Sequence, residues 1–368
     1  MSHPKHIVID ARIRRTSTGR YVDRLVTHLQ GTDTTNQYTI LVSPDDTWQM
    51  TAPNFKTRGC PYPQFSINPL IELKFAWEMY RLKADLVHFT MTQQPLLYFG
   101  NIVTTTHDLT MFEYARAGRL PEWLHRIRLA LYKFLFWWSH FKSQAIIVPT
   151  QYVADGLAKY QPSTGRKLTV TLEASEPAIS KAGIKPAKVS QPYILYVGSS
   201  FPHKNLEQLI LAHAKLNTSQ PELNLILVGK REHYSFELEK FAKSSGVFNK
   251  IIFTGFVDDV ELKWLYQNAK AYVFPSLSEG FGLPGLEAMT YGCPVVSSNA
   301  TCLPEVYQDA AEYFDPSDVS GMVAAIQSVI NNPAKAADLR AKGYKVITKY
   351  SWQTMADQTL AIYKKLLS

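Results

Sequence analysis

Two carboxylates stand eight positions apart in PSLSEGFGLPGLEAMTYGCPVV, residues 275–296: Glu279 and Glu287. Between them lie Gly280, Phe281, Gly282 and Pro284. Glycines let the backbone come close to a ligand. Pro284 suits a first helical position. A helix beginning there points backbone amides, those of Gly285 and Leu286 among them, out of its end, which makes an anion site without a side chain. Glu287 sits one turn into that helix and can reach a hydroxyl pair on one side. Glu279, on the loop, can reach hydroxyls on the other. A phosphate-binding helix end flanked by two carboxylates fits a ligand built as sugar, diphosphate and second sugar, that is, a nucleotide-sugar. On composition alone the same two residues read as a solvated loop acid and a helix-surface acid. An acid–base pair of a hydrolase fits less well. Eight helical residues span about 12 Å, whereas paired glycosidase carboxylates sit roughly 5–9.5 Å apart.

Such a site needs elements to position it. Short apolar, β-branched runs recur along the chain with helical patterns between them. The first half carries them at 6–10, 38–43, 85–90, 102–108, 145–150 and 168–174. The second carries them at 193–198, 223–229, 250–255, 271–276, 294–298 and 311–315. Continuous apolar runs of this length suit strands buried on both faces. Residues 205–216 read as a helix with Asn205 as N-cap, and 259–269 as another with Asp258 and Glu261 at capping-box spacing. Strand and helix in alternation predict two doubly wound, Rossmann-like parallel sheets, one per half. Ligands in such sheets bind past the carboxyl ends of strands. There the sequence offers Gly19 in a basic loop, His107 beside Asp108, Lys204 at a helix start, Lys230 after Gly229, and the glutamate stretch. That set predicts a cleft between two facing domains.

Length and composition agree. A chain of 368 residues exceeds one ordinary core. With 46% hydrophobic and 19% charged residues it is globular. Cys60, Cys293 and Cys302 show neither disulfide-framework nor metal spacing, which favours a reducing compartment. The N-terminus enters a strand-like run almost at once, with no room for a signal peptide. No apolar run reaches the roughly 18 residues that span a bilayer. The expected location is cytoplasmic. The seam is placed in the Pro- and Lys-bearing stretch 178–192, giving domains 1–182 and 183–351, with a last helix about 352–368 able to pack back on the first. Residues 1–182 carry a net charge of +7 (21 Lys and Arg, 14 Asp and Glu) and residues 183–368 +1 (18 and 17).

The segments GSSFPHKN, ILVGK, IIFTGFVDDVELKWLYQNA, SEGFGLPGLEAMTYGCPVVSSN and LPEVYQDAAEYFDP together resemble the retaining, GT-B-fold glycosyltransferases of family GT4. The likeness covers nearly all of the second half. It extends to TSTGRYVDRL and HDLT in the first. The resemblance implies a hexosyltransferase of polysaccharide biosynthesis that takes a nucleotide-sugar donor. Glu287 would hold the nucleotide ribose and Glu279 the hydroxyls of the donor sugar. Backbone amides of Phe281, Gly282 and Leu283 would surround sugar and diphosphate. Lys204 would neutralise the diphosphate, Gly19 would let the first-domain loop approach it, and His107 would sit near the reacting carbon or the sugar's primary hydroxyl. Many relatives carry an arginine where this chain has Ser199, so Lys230 becomes the second diphosphate cation. With two lysines there and no Asp-x-Asp motif, no metal or other cofactor is expected. The HKN segment is similar to that of mannosyltransferases and suggests mannose from GDP-mannose. The acceptor would be a saccharide or lipid-linked.

Other readings stay open. A sugar-nucleotide epimerase or a phosphorylase can share this architecture. A non-catalytic carbohydrate- or nucleic-acid-binding protein could use the basic first half, although the strand-end pattern of Glu279 and Lys204 favours an enzyme that binds no nucleic acid. His107 could be a satisfied structural histidine, Lys204 and Lys230 surface lysines, and Arg12, Arg14, Arg15 and Arg20 a solvated charge run. The segment 121–142 is apolar nearly all round. It reads first as a mostly buried helix. Alternatively Trp137, Trp138 and its cations meet an anionic membrane, placing the protein peripherally on the inner face.

Overall fold

A computed structural model describes residues 3–16, 18–64, 66, 68–114 and 121–368, so Ser17 of the TSTGRYVDRL stretch lies outside the described residues. The chain forms two compact units, Met1–Glu173 with Ser351–Ser368, and Ala174–Tyr350. The junction precedes the 178–192 stretch that composition favours, which lies inside the second unit.

The first unit runs β1 (His6–Asp10), α1 (Gly19–Thr32), β2 (Gln37–Val42), β3 (Phe55–Gly59), α2 (Pro69–Arg81), β4 (Leu86–Phe89), β5 (Ile102–Thr105), α3 (Thr110–Glu113), α4 (Glu122–Lys142), β6 (Ala145–Val148), α5 (Gln151–Tyr160) and β7 (Leu168–Val170). All seven strands are parallel, in the order β3-β2-β1-β4-β5-β6-β7. The central strands are apolar and buried because helices cover both faces. β3 has no counterpart among the apolar runs of the sequence. It reads FKTRG, buries only Phe55, and sits at the sheet edge where one row of neighbours suffices.

The second unit runs β8 (Tyr193–Val197), α6 (Leu206–Ser219), β9 (Asn224–Val228), α7 (His233–Ser244), β10 (Ile251–Gly255), α8 (Asp259–Asn268), β11 (Ala271–Phe274), α9 (Leu283–Thr290), β12 (Val295–Ser298), α10 (Leu303–Tyr307), β13 (Ala311–Phe314), α11 (Val319–Ile330) and α12 (Pro333–Ile347). Its six parallel strands follow β10-β9-β8-β11-β12-β13. The expected capping box of α8 is present: Asp258 accepts from the Glu261 amide (2.8 Å), and Glu261 accepts from the Asp258 amide (3.3 Å). α13 (Trp352–Leu367) closes the chain and returns to the first unit, where it packs along α1.

The strand order reverses direction between β8 and β11 in one sheet and between β1 and β4 in the other. At such a point neighbouring connections leave to opposite faces and open a crevice at the carboxyl ends. Lys204 follows β8 and Glu279 follows β11, so the second crevice receives both.

Candidate active site

In the second unit the turn Pro202–Lys204 leads from β8 into α6. The Leu277 amide donates to the His203 carbonyl (2.7 Å), which ties this turn to the loop after β11. Across that tie the Lys204 ammonium donates to Glu279 Oε1 at 2.6 Å, with both side chains largely covered, at 16% and 12% exposure. Asn205 occupies the N-cap position of α6 but in the left-handed conformation (φ 61°), so its side chain does not cap. It donates instead to the Pro316 carbonyl (2.9 Å).

The backbone of Glu279 is clamped from the start of α10. Its amide donates to Thr301 Oγ1 (3.2 Å), and the Cys302 thiol donates to its carbonyl (3.3 Å). Burial pushes that thiol well up, so it stays protonated. Gly282 caps α9 at φ 93°, a conformation that disfavours any other residue. The helix starts at Leu283, one residue before Pro284, which occupies its second position. The Gly285 amide, expected to point outward, donates to the Gly282 carbonyl (3.2 Å). The amides of Phe281, Gly282 and Leu283 donate to no backbone acceptor among the described residues.

Why two glycines stand here is visible behind the helix tip. Tyr307 is fully buried, and its hydroxyl donates to the Gly282 carbonyl at 2.5 Å. A Cβ on Gly282 would come within 2.6 Å of that hydroxyl, and a Cβ on Gly285 within 2.3 Å of the Tyr307 ring. Burial, then the nearby Glu279 charge, pushes the phenol well above its ordinary value, so it remains a donor. The Phe281 side chain is core, edge-on to Tyr350 at 5.6 Å. Only its backbone belongs to the loop. Glu287 lies on α9 with Tyr266 Oη at 3.4 Å. Lys230 is exposed and makes no ion pair or hydrogen bond among the described residues. The next residue, Arg231, pairs with Glu239 (2.5 Å) and lines the crevice of β8, β9 and β10 with Gly198 and Gly255.

In the first unit Gly19 begins α1 and is buried. A Cβ there would meet the Ile13 carbonyl at 2.8 Å, so the loop after β1 crosses it closely. Of the arginines of that loop, Arg12 and Arg14 are covered and Arg15 stays exposed. Arg12 is buried on Asp10 (2.6 Å), Arg14 bridges Asp23 and Asp46 and lies over Trp48, and Arg15 pairs with Asp45. His107 follows β5. Its Nε2 donates to the Thr90 carbonyl (2.9 Å) and its Nδ1 faces Glu173 Oε1 (3.3 Å). It lines a cavity of about 370 Å³ with Asp108, Met111, His125, Arg128 and Tyr132. His125 Nδ1 and Gln93 Oε1 are buried there without a hydrogen-bond partner among the described residues.

α4 corrects the expectation of burial. Of its 21 residues only Phe136, Ser139, His140 and Lys142 are buried. Lys142 is no surface cation. Burial brings its amine down to about 7, and it donates to the carbonyls of Pro95 and Tyr98.

Residues 180–346 match the family model for glycosyl transferases group 1. The chain is 33% identical to O-antigen chain mannosyltransferase B of Escherichia coli, covering 72% of this chain and 70% of that one. The chain belongs to the group 1 glycosyltransferases. It is also 30% identical to O-antigen chain mannosyltransferase RfbU of Salmonella typhimurium, over 71% of this chain and 68% of the relative. Among solved structures, sucrose-phosphate synthase from Thermosynechococcus elongatus shares the fold, with TM-score 0.78, 19% identity, and coverage of 98% of this chain and 99% of that one. The fold class is GT-B, and this glycosyltransferase carries the acid, lysine and glycine tip of its motif on one sheet's switch point.

Thr301, Cys302 and Tyr307, which hold the motif in place, carry no signal in the sequence beyond their place in a matching segment.

Proposed function

We propose that this glycosyltransferase moves a hexose, mannose from GDP-mannose, to a saccharide or lipid-linked acceptor with retention of configuration. The observation that carries the reading is the Lys204–Glu279 pair at 2.6 Å beside the tip of α9. A diphosphate arriving at the Leu283 and loop amides draws the Lys204 ammonium to itself. Glu279 is then released to accept from hydroxyls of the donor sugar, and Glu287 accepts from the ribose. The acceptor oxygen attacks the anomeric carbon as the glycosyl–phosphate bond breaks. The acceptor proton passes to a leaving phosphate oxygen, and a nucleoside diphosphate departs. Fixed cations and amides at the diphosphate lower the barrier most. Lys204 supplies that charge, Lys230 becomes a second cation once a ligand draws it in, and no metal ion is required. In this reading Gly19 is the residue that lets the β1 loop serve the diphosphate, and His107, held by Thr90 and Glu173, is the one that serves the reacting sugar. The cavity beside it takes the acceptor, with His125 and Gln93 offering open hydrogen-bonding atoms to its hydroxyls.

The relatives named above support mannose. The exposed aromatic side chains of α4 support a protein that works peripherally on the cytoplasmic membrane face, its 121–142 helix on anionic lipid. A thermal-shift panel of nucleoside diphosphates tests the donor, with GDP expected to raise the melting temperature most. Nucleotide release from GDP-mannose in the presence of acceptor, unchanged by EDTA, tests the reaction. No shift with any nucleoside diphosphate would refute the site. Donor epimerised without transfer would replace the function.

A further inference from the structure

The outer face of α2 carries Leu70, Leu73, Trp77 and Tyr80 at steps of three and four, so they form one stripe. All four are exposed, Leu70 to 67% and Trp77 to 60%. The acids of the same helix turn away from it. Glu72 accepts from the Leu96 amide, and Glu78 pairs with Arg58. The cations stay with the stripe: Lys74 is exposed, and the Arg81 guanidinium lies over the Trp77 ring at 4.6 Å.

Next to α2 the 95–99 loop holds Leu97 and Phe99 outward, at 50% and 58% exposure. This is a built conformation. Lys142 Nζ donates to the Pro95 and Tyr98 carbonyls (2.6 and 3.1 Å), and the Trp138 indole donates to the Leu96 carbonyl (2.9 Å). The Tyr80 hydroxyl donates to the Leu97 carbonyl and accepts from the Phe99 amide, both at 3.1 Å. α2 and α4 therefore staple the loop from two sides. Phe99 meets Trp138 edge-on at 6.2 Å, and Phe141 stacks on both Trp138 (5.6 Å) and Trp137 (5.4 Å). The apolar face thus continues from α2 through the loop into α4, whose exposed Trp123, Ile127 and Phe134 extend it.

Two partners suit an apolar stripe of this spacing: a second copy of the chain, or lipid. The charges decide between them. The cations beside these apolar residues are Lys74, Arg81, Arg126 and Lys133, against one acid among the described residues of the two helices on that side, Glu122, itself paired with Arg126. A two-fold contact would set cation against cation. Lipid phosphates complement them, and Trp with Phe suits the headgroup level.

We propose that α2, the 95–99 loop and α4 form one platform that seats the first unit on an anionic bilayer. This rests on the membrane reading of 121–142 and extends it to a second helix and a loop. Co-sedimentation with vesicles of phosphatidylcholine alone, and with phosphatidylglycerol added, tests it on the full chain. Binding is expected on the anionic vesicles and about tenfold weaker on the neutral ones. Trp77→Ser with Phe99→Ser should lower anionic binding about tenfold while leaving the melting shift by GDP intact. If that variant unfolds, Lys74→Glu with Arg81→Glu keeps the apolar stripe and should give a similar loss. Variants that bind like the wild type, or binding indifferent to lipid charge, would overturn the platform. So would a dimer in light scattering that the serine variant dissolves, which would assign the face to a second copy. None of these readouts uses turnover, so the platform and the transfer reaction can fail separately.

Discussion

Lys204 and Glu279 neutralise each other at the site proposed for the diphosphate. Removing either partner has a different consequence. Lys204→Met deletes charge at the leaving diphosphate, so kcat/KM for transfer should fall at least about a hundredfold, the scale of one lost transition-state donor. Glu279→Gln keeps shape and hydrogen bonding but removes the counter-charge. Free nucleoside diphosphate should then bind as well or better while transfer falls. Steady-state kinetics beside GDP titration separates the two, and equal losses of binding in both variants would contradict the assignment. Tyr307 makes a third case. Tyr307→Phe leaves the Gly282 carbonyl without its buried donor, at a cost of about 1–2 kcal/mol in stability. The tip of α9 loosens and transfer falls with it, which a denaturant melt and a rate measurement check together. Sequence shows Glu279 because an acid at the edge of a glycine-rich turn stands out against an apolar background. It cannot show Tyr307, since a tyrosine that holds a functional carbonyl has the same neighbours in sequence as one that fills a core. It nominates Lys230 because a cation follows a strand-end glycine, but spacing carries no direction, and the side chain lies exposed.

At the scale of elements, apolar runs are legible where both faces are covered, as in β1, β4 and β8, and illegible at the edge, as in β3. α4 misleads for the converse reason: apolar character all round predicts burial, yet only its C-terminal turns meet the sheet. The elements also share one device. His88 on β4, His140 on α4 and His213 on α6 are fully buried. His88 lies between the hydroxyls of Tyr363 and Thr105, His140 between Thr106 and the Phe136 carbonyl, and His213 on the Leu223 carbonyl. Burial brings the three imidazoles down to about 3, about 4 and about 4. The unfolded chain takes up protons below about pH 6.5, the folded one only near pH 4 and below. Their contribution is therefore fully present above 6.5 and is lost as pH falls toward those values. At about pH 5 each histidine should cost about 2 kcal/mol. Melts at neutral pH and at pH 5 should show a clear drop, shallower in His213→Gln. A melting temperature independent of pH over that range would rule the device out.

At the scale of the whole chain, the alternation of strands and helices announces two sheets and leaves a last helix able to pack back on the first, without the contacts that would fix it there. An amphipathic helix shows an apolar face without naming its partner. The structure assigns α13 by particular contacts. Gln353 Oε1 accepts from His28 Nδ1 at 2.9 Å and its Nε2 donates to Thr32 Oγ1 at 2.8 Å, both on α1. The Tyr363 hydroxyl lies 2.5 Å from His88 Nδ1 on β4. Trp352, Met355, Leu360 and Tyr363 are buried, whereas the core of the second unit draws on nothing after Tyr350. Ending the chain at Tyr350 removes these side chains from the first unit alone. At roughly 1.5–3 kcal/mol for each large apolar side chain, the loss matches the whole stability of a typical domain. Hydrogen exchange on that truncation should find β1, β4 and α1 unprotected, β8 to β13 protected as before, and the melting shift by GDP retained. Retained protection in β1 and β4 would mean that the first sheet holds without its final helix. Loss in β8 to β13 as well would mean that the two units unfold as one.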